Sequence, residues 1–526
     1  MPVGICDQPL QHLTVSGNAC QKSSTTHPLV MLGRRSGQWL SHIDSEDNGN
    51  GDTATSSPQI KQQKYVAGTR TMADSYTMAV LPFSKDKTLL EKYKNTAGGL
   101  RIGKLLENLD SLAGTIGYRH CLPATAFATS TEDGMTGITT ESIIKASHDA
   151  ELYIATAAAD RIDMFHNLAA PNEIQDIRFS GFVTYTGSSS MEVFVRMEGL
   201  GTQPGDEPKT IMLGRFSIVC RDAITHRAKK CPQLVLNTPE EKAMFAIGED
   251  HKNRKKTSSM IALDKVPPSQ PEINMLHEMM LKVAEREKQI EDSGKIGHRP
   301  HHATIKEEIV YTSETELGSV TRQQPQEMNL HFKIFGGHLM RLVCLVSESL
   351  GIGAANHTSI ISMGVNHIGI VSIESILPLV ESNAESLLRS ELADVNATIF
   401  AGKSLRFLAL DQITFRLPVP IGAIVRMTAV TVTSTRPKSK EELSQGLEFT
   451  SAGNAKVHVV VEAQIQDVAK GTRETTNRFF FSFAGENQEP LAKLVVPKTY
   501  QEAMAYIEGA RRLEVGGALR RHYKSS

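Results

Sequence analysis

Arg101 to Cys121 reads RIGKLLENLDSLAGTIGYRHC, with apolar residues at Ile102, Leu105, Leu106, Leu109, Leu112, Ala113 and Ile116. These are the i, i+3, i+4, i+7 positions of an amphipathic helix. At about 100° per residue they make one stripe, roughly a third of the circumference wide. Asp110 falls at the edge of that stripe, and Gly103, Gly114 and Gly117 are expected to project on the same side. A glycine costs about 1 kcal/mol in a helix interior relative to alanine. Three on one side therefore suggest close approach of other backbone or of a ligand. A carboxylate beside such a seam is either a hydrogen-bonded structural group or a chemical one.

The chain makes this element twice. Ile334 to Val343, IFGGHLMRLV, again runs from glycine into a helical pattern, with Leu339, Met340 and Val343 on one face. An Asn stands eight residues before the reference glycine in each copy, Asn95 before Gly103 and Asn329 before Gly337. Downstream, Ala159-Asp160-Arg161-Ile162-Asp163 resembles Leu410-Asp411-Gln412-Ile413-Thr414, and Gly214-Arg215-Phe216-Ser217 resembles Asn477-Arg478-Phe479-Phe480. Three matches in the same order indicate a duplicated unit.

The chain has 526 residues, of which 40% are hydrophobic and 22% charged. That is the composition of a soluble globular protein with roughly two to four domains. A formal net charge of −1 argues against a nucleic-acid partner, because no basic field draws the chain onto phosphates. The sequence lacks the run of about 18 apolar residues that a membrane span needs. Six cysteines are scattered without a C-x-x-C pair, which fits free thiols in a reducing compartment rather than a disulfide frame or a zinc site.

Residues 1–71 show no sustained periodicity and are rich in Ser, Thr, Gly and Gln. With no acidic residue between Gln8 and Ile43, they read as a disordered segment or a mitochondrial transit peptide. Residues 72–240 form the first unit: the helix, a loop from about 122 to 149, and strands near Leu152–Asp163, Ile177–Tyr185, Met191–Glu198 and Lys209–Asp222. In the third of these, Met191, Val193, Val195 and Met197 alternate with Glu192, Phe194, Arg196 and Glu198, which predicts a strand covered on one face. Residues 241–312 form a polar linker with a basic cluster at Asn253–Lys256 and a helix over Glu272–Glu291. His298, His301 and His302 sit in a Gly/Pro-flanked loop off any shared helix face, so no metal is expected there. Residues 313–490 repeat the plan, with strands near Leu405–Arg416, Ile424–Thr435, Val457–Ile465 and Thr475–Phe483 and a loop over Lys438–Gly453. A segment at about 344–390, either a genuine insertion or the product of a gene-model error, interrupts the second central helix, which resumes over Glu391–Gly402. Residues 491–526 add a helix near Tyr500–Arg512 and a basic tail. A helix followed by antiparallel strands buries its stripe by lying across the sheet, so the fold class is α+β.

RIGKLLENLDSLAGTIGYRHC, SGFVTYTGSSSMEVFVRMEG, NLHFKIFGGHLM and SLRFLALDQITFRLPVPIG together resemble the acyl-coenzyme A thioesterases built from two hotdog domains, of the mitochondrial type. The resemblance runs through both halves in order. It implies tandem hotdog domains, each a long central helix wrapped by an antiparallel β-sheet, with the two sheets joined. It further implies hydrolysis of acyl-CoA to free fatty acid and coenzyme A by base-activated water at the interface of the two domains. The expected partner is the acyl-CoA substrate alone, with no cofactor, in a homo-oligomer that is a trimer of two-hotdog chains. The expected location is the mitochondrial matrix, with the cytoplasm as the alternative.

In that family an acidic residue on one central helix works with an Asn before the other. Carried across, these are Asp110 and Asn329. Gly336 and Gly337 open the second helix, whose backbone N–H groups suit a developing oxyanion. His331 is close enough in sequence to assist, or it is structural. No G-x-S-x-G and no cysteine nucleophile motif supports a covalent route. The mirror-image position has Asn95, but Cys344 stands seven residues after Gly337, so one site per chain is expected. A non-catalytic hotdog protein that binds acyl-CoA is the alternative; the Asp-then-His helix pattern of a hydratase is absent.

Overall fold

The computed structural model describes residues 68–95, 99–127, 140–166, 174–201, 206–260, 263, 265–295, 308–329, 333–343, 397, 400–402, 405–435, 455–485, 491 and 493–525. The expected transit segment, the insertion at about 344–390, His298, His301, His302 and the Lys438–Gly453 loop lie outside them. The longer helices are α1 (Ile102–Cys121), α2 (Thr140–Asp149), α3 (Pro239–Met260), α4 (Gln270–Lys295), α5 (Gly336–Val343) and α6 (Tyr500–Ser525). No described helix is long and apolar enough to cross a membrane.

Among the described residues ten strands make one continuous antiparallel sheet. They are β1 (Thr77–Leu81), β2 (Leu152–Met164), β3 (Ile177–Thr186), β4 (Ser190–Gly199), β5 (Lys209–Asp222), β6 (Leu317–Arg322), β7 (Arg406–Thr414), β8 (Ile424–Thr435), β9 (Lys456–Asp467) and β10 (Thr472–Ala484). Their order is β1-β3-β4-β5-β2-β7-β10-β9-β8-β6, five strands from each half in mirrored sequence. The halves join where β2 pairs with β7, with Arg161 opposite Asp411. This is the joined pair of sheets that a tandem hotdog requires.

The duplication extends to irregularities in the ladders. The register shift at Thr156/Ala158 in β2 recurs at Phe407/Ala409 in β7. The shift at Val183/Tyr185 in β3 recurs at Thr431/Thr433 in β8, and that at Met197/Glu198 in β4 recurs at Ala463/Gln464 in β9. Bulges at matching positions set the equivalence residue by residue, and on this register Thr156 matches Phe407. The register also corrects the third sequence match. Ala159 faces Phe216 and Leu410 faces Phe481, so Phe216 corresponds to Phe481, two residues beyond Phe479.

The apolar stripe of α1 is buried as its spacing predicts, with Leu105, Leu106, Leu109, Leu112 and Ile116 fully covered. Ile116 lies over Gly181 in β3, on the face shared with Val195. The opposite face is covered as well, by α3 over β3 and β4 and by α6 over β8 and β9. The Phe245 ring of α3 lies 4.8 Å from Tyr185, and a Cβ on Gly248 would stand 2.6 Å from the Tyr185 Cβ. In α6, a Cβ on Gly509 would stand 2.4 Å from Thr433 Oγ1, so each helix crosses its sheet at a glycine. The strand expected to be covered on one face is therefore covered on both: Glu192, Phe194 and Glu198 are buried. The charges are paired there, Glu192 with Arg215 at 3.0 Å and Glu198 with Arg178 at 2.8 Å.

Other expectations are revised. The loop expected from about 122 to 149 contains α2, which sinks Ile143 into the core. The linker carries two helices rather than one, because α3 precedes α4 and takes up Asn253–Lys256. The C-terminal helix runs on to Ser525. The Cβ position of Gly114 is open, whereas that of Gly117 would meet Ile154 Cδ1 of the sheet at 2.8 Å.

Two glycines test this packing in opposite directions. A Cβ on Gly181 would stand 2.3 Å from the Phe194 carbonyl oxygen and 2.8 Å from Ile116 Cδ1. Gly181→Ala should lower stability by about 1–3 kcal/mol through overpacking. Gly114→Ala should raise it by up to about 1 kcal/mol through helix propensity. Melting temperatures that move in the same direction would contradict this placement of α1.

Candidate active site

The site forms where the two central helices approach each other. Asp110 lies midway along α1 and is 1% exposed. Across from it, α5 begins at Gly336. A Cβ on Gly336 would stand 3.3 Å from Asp110 Oδ2, and one on Gly337 would stand 3.2 Å from Asp110 Cβ. The glycines that Asp110 meets are thus those of the other repeat, and they let a carboxylate reach backbone. The first helical bond of α5 runs from the Leu339 N–H to the Phe335 carbonyl at 3.3 Å. The N–H groups ahead of Leu339 therefore have no acceptor within their own helix.

Asp110 Oδ1 accepts a hydrogen bond from Thr156 Oγ1 of β2 at 3.0 Å. Burial raises the pKa of Asp110 to about 7; Thr156 and the Gly337 N–H oppose that rise, and the Glu107 charge adds to it. A carboxyl that titrates near neutrality, beside the N–H groups that open a helix, can take a proton from water while that helix terminus favours negative charge.

The structure brings Asp110 and Gly337 together. Asn329 stands on the loop that leads into α5. Its N–H donates to the Lys333 carbonyl at 2.7 Å, and its Oδ1 accepts from the Lys333 N–H at 3.2 Å. Asn95 makes the same turn before α1, with its N–H on the Gly99 carbonyl at 2.8 Å. Among the described hydrogen bonds none joins Asn329 to Asp110. His331 lies outside the described residues. Thr156 was not singled out in the sequence. Its only signal is the contrast with Phe407 in the other repeat, and that alignment needs the bulge register.

One turn from Asp110 the same helix pair holds a buried ionic group. Glu107 Oε2 lies 3.3 Å from Arg341 Nε, Arg341 reaches Glu327 at 3.4 Å, and His338 Nδ1 lies 3.0 Å from Glu327 Oε2. The acid and imidazole atoms of Glu107, Glu327 and His338 are close enough to share a metal ion. The Arg341 guanidinium already supplies the positive charge there, so the donor set does not fit a cation.

The pKa of Asp110 also bears on stability. In the unfolded chain the group ionises near 3.8, in the folded one near 7. Between these values the folded state keeps a proton that the unfolded state has lost. Stability therefore falls as pH rises from about 4 to about 7, by up to about 4 kcal/mol, and stays lower above. Asp110→Asn removes this cost and can still accept from Thr156. The variant should melt above the wild type at pH 8 and level with it near pH 4; a difference independent of pH would count against an ionised Asp110 in the fold.

No family model matches the chain. Among curated proteins, acyl-coenzyme A thioesterase 9, mitochondrial, of Homo sapiens is 29% identical over 442 residues, covering 84% of this chain and 77% of that protein. Acyl-coenzyme A thioesterase 10, mitochondrial, of Mus musculus is 28% identical over 451 residues, covering 86% and 80%. A solved acyl-CoA hydrolase from Staphylococcus aureus, in complex with butyryl coenzyme A, is 18% identical and covers 41% of this chain and 95% of its own, with a TM-score of 0.26. The match in sequence spans more than four fifths of the chain and so reaches into both repeats. The chain is thus similar over more than four fifths of its length to mitochondrial acyl-coenzyme A thioesterases, and it carries two hotdog domains in tandem.

Proposed function

We propose that the protein hydrolyses acyl-CoA thioesters at the junction of its two repeats, with Asp110 as the base. The observation that carries this reading is the approach of the buried Asp110 carboxylate to Gly336 and Gly337 at the opening of α5. Asp110 takes a proton from water, and the hydroxide so formed attacks the thioester carbonyl. The carbonyl oxygen becomes an oxyanion facing the N–H groups at the opening of α5, whose dipole favours negative charge. Collapse breaks the carbon–sulfur bond, and the proton held by Asp110 goes to the departing thiolate. The products are a free fatty acid and coenzyme A. Asn329, on the loop that enters α5, orients the water or the thioester, and His331 is proposed to assist from the same loop.

One working site per chain is supported by Phe407, which stands where Thr156 stands in the first repeat, in edge contact with Phe483 at 6.1 Å. We take each domain to extend over its covering helix, through α3 in the first and α6 in the second. The names of the relatives and the acid-poor start of the chain support a mitochondrial location, in the matrix. Exposed Met78 and Val320 on the two outermost strands give apolar surface for a homo-oligomer, read as a trimer of two-hotdog chains.

A protein that binds acyl-CoA without cleaving it would need the same pocket but not a base with a pKa near 7, which favours the hydrolase. Release of free thiol from acyl-CoAs of increasing chain length tests both. Asp110→Asn should reduce kcat by about 10²–10⁴-fold with the fold intact. Near-wild-type kcat in that variant would remove Asp110 from the chemistry, and absence of thiol release from any acyl-CoA would leave the binding protein.

A further inference from the structure

We infer that Glu107 and Arg341 are positioning residues for the base: their buried ion pair clamps α1 to α5 one turn from Asp110 and sets the field in which that carboxylate takes its proton. This deepens, and rests on, the reading of Asp110 as the base. Glu107 precedes Asp110 by one turn of α1, and Arg341 follows Gly337 by one turn of α5. The contact of Asp110 with Gly337 and the 3.3 Å pair of Glu107 with Arg341 are therefore neighbouring rungs between the two helices.

The groups around Asp110 can be named from each element packed against it. Glu107 lies on its own helix. The Gly337 N–H faces it from α5, with His338 and Arg341 behind, and Glu327 comes from the loop before α5. Thr156 Oγ1 comes from β2, and past the end of β7 lies the uncharged Phe415, whose ring would stand 3.3 Å from a Cβ on Gly336. Arg341 also donates to His338 Nδ1 at 2.9 Å, while His338 Nε2 meets Gln323 Oε1 at 3.2 Å. Burial holds the His338 pKa below its ordinary value, so the ring is neutral at neutral pH. Arg341 is then the cation that Glu107 and Glu327 share. The Glu107 charge opposes ionisation of Asp110, and the opposite charge of the Arg341 guanidinium, paired with Glu107 at 3.3 Å, is inferred to offset it. The two members of the pair act on the base in opposite directions, which a purely mechanical clamp does not do.

The test is the pH dependence of kcat/KM for thiol release by the full chain. Glu107→Gln should move the acid-side midpoint down by about one pH unit. Arg341→Gln should move it up by a similar amount, the scale of a unit charge roughly ten ångströms away at an effective dielectric of about 20. At pH 7 Arg341→Gln should lower kcat/KM by about fivefold, most of which returns at pH 9. Shifts of the same sign, or midpoints that stay put in both variants, overturn the inference. Glu107→Gln keeps the side-chain shape, and if Arg341→Gln fails to fold, an unmoved midpoint in Glu107→Gln alone is enough to overturn it. Asp110→Asn separates the two levels. Retained activity there sinks the base assignment, whereas lost activity with an unmoved Glu107→Gln profile sinks the positioning role alone.

Discussion

A carboxylate that has lost its water and faces the first N–H groups of another helix is the contact on which this structure turns. Burying Asp110 costs free energy that solvent would otherwise supply. The Thr156 hydroxyl and the α5 terminus return part of it, and the remainder shows as a pKa near neutrality. That arrangement requires two backbones to pass closely, which explains the paired glycines at the head of α5. It also requires both repeats, since the carboxylate comes from one and the N–H groups from the other. The ladder between β2 and β7 is what holds them in register.

Much of this was legible in the residues. The 3.6-residue stripe of α1 announced a helix buried on one side, and the echo of α1 in α5 announced the duplication. Asp110 and Gly337 could be picked out because a carboxylate among buried leucines and a Gly-Gly before a helix each ask for a physical reason. What could not be read was the far side of the sheet. Phe194 and Glu192 alternate with valines as a half-solvated strand would, and nothing local says that α3, some fifty residues on, returns to cover them. Periodicity reports which residues share a face, not which faces are covered. The glycines of α1 could not be told apart by sequence: Gly117 makes room for Ile154 of the sheet, whereas a Cβ on Gly114 would meet nothing within 4 Å. Thr156 stayed hidden because a one-residue bulge sets its register.

The two repeats have kept their scaffold and parted in their chemistry. Bulges, turns before the central helices and glycine crossings under the covering helices recur at equivalent places. The side chains that face the helix termini do not. Thr156 has become Phe407, whose ring joins the aromatic packing with Phe483. A hydroxyl that steadies a carboxylate has no equivalent there, and apolar packing takes its place.

Equivalence of the repeats has one more consequence. Gly103 matches Gly337, and on that register Glu107 matches Arg341, so these two side chains occupy the same position on either side of a pseudo-twofold axis. In a symmetric pair of identical units such a position faces its own copy. The first repeat would then press one buried glutamate onto another, and the second would press arginine onto arginine, both unfavourable where water cannot screen them. Covalent linkage lifts that restriction, because the two positions can vary independently and carry opposite charge. Each repeat is thereby built to refuse its own twin and accept its sister.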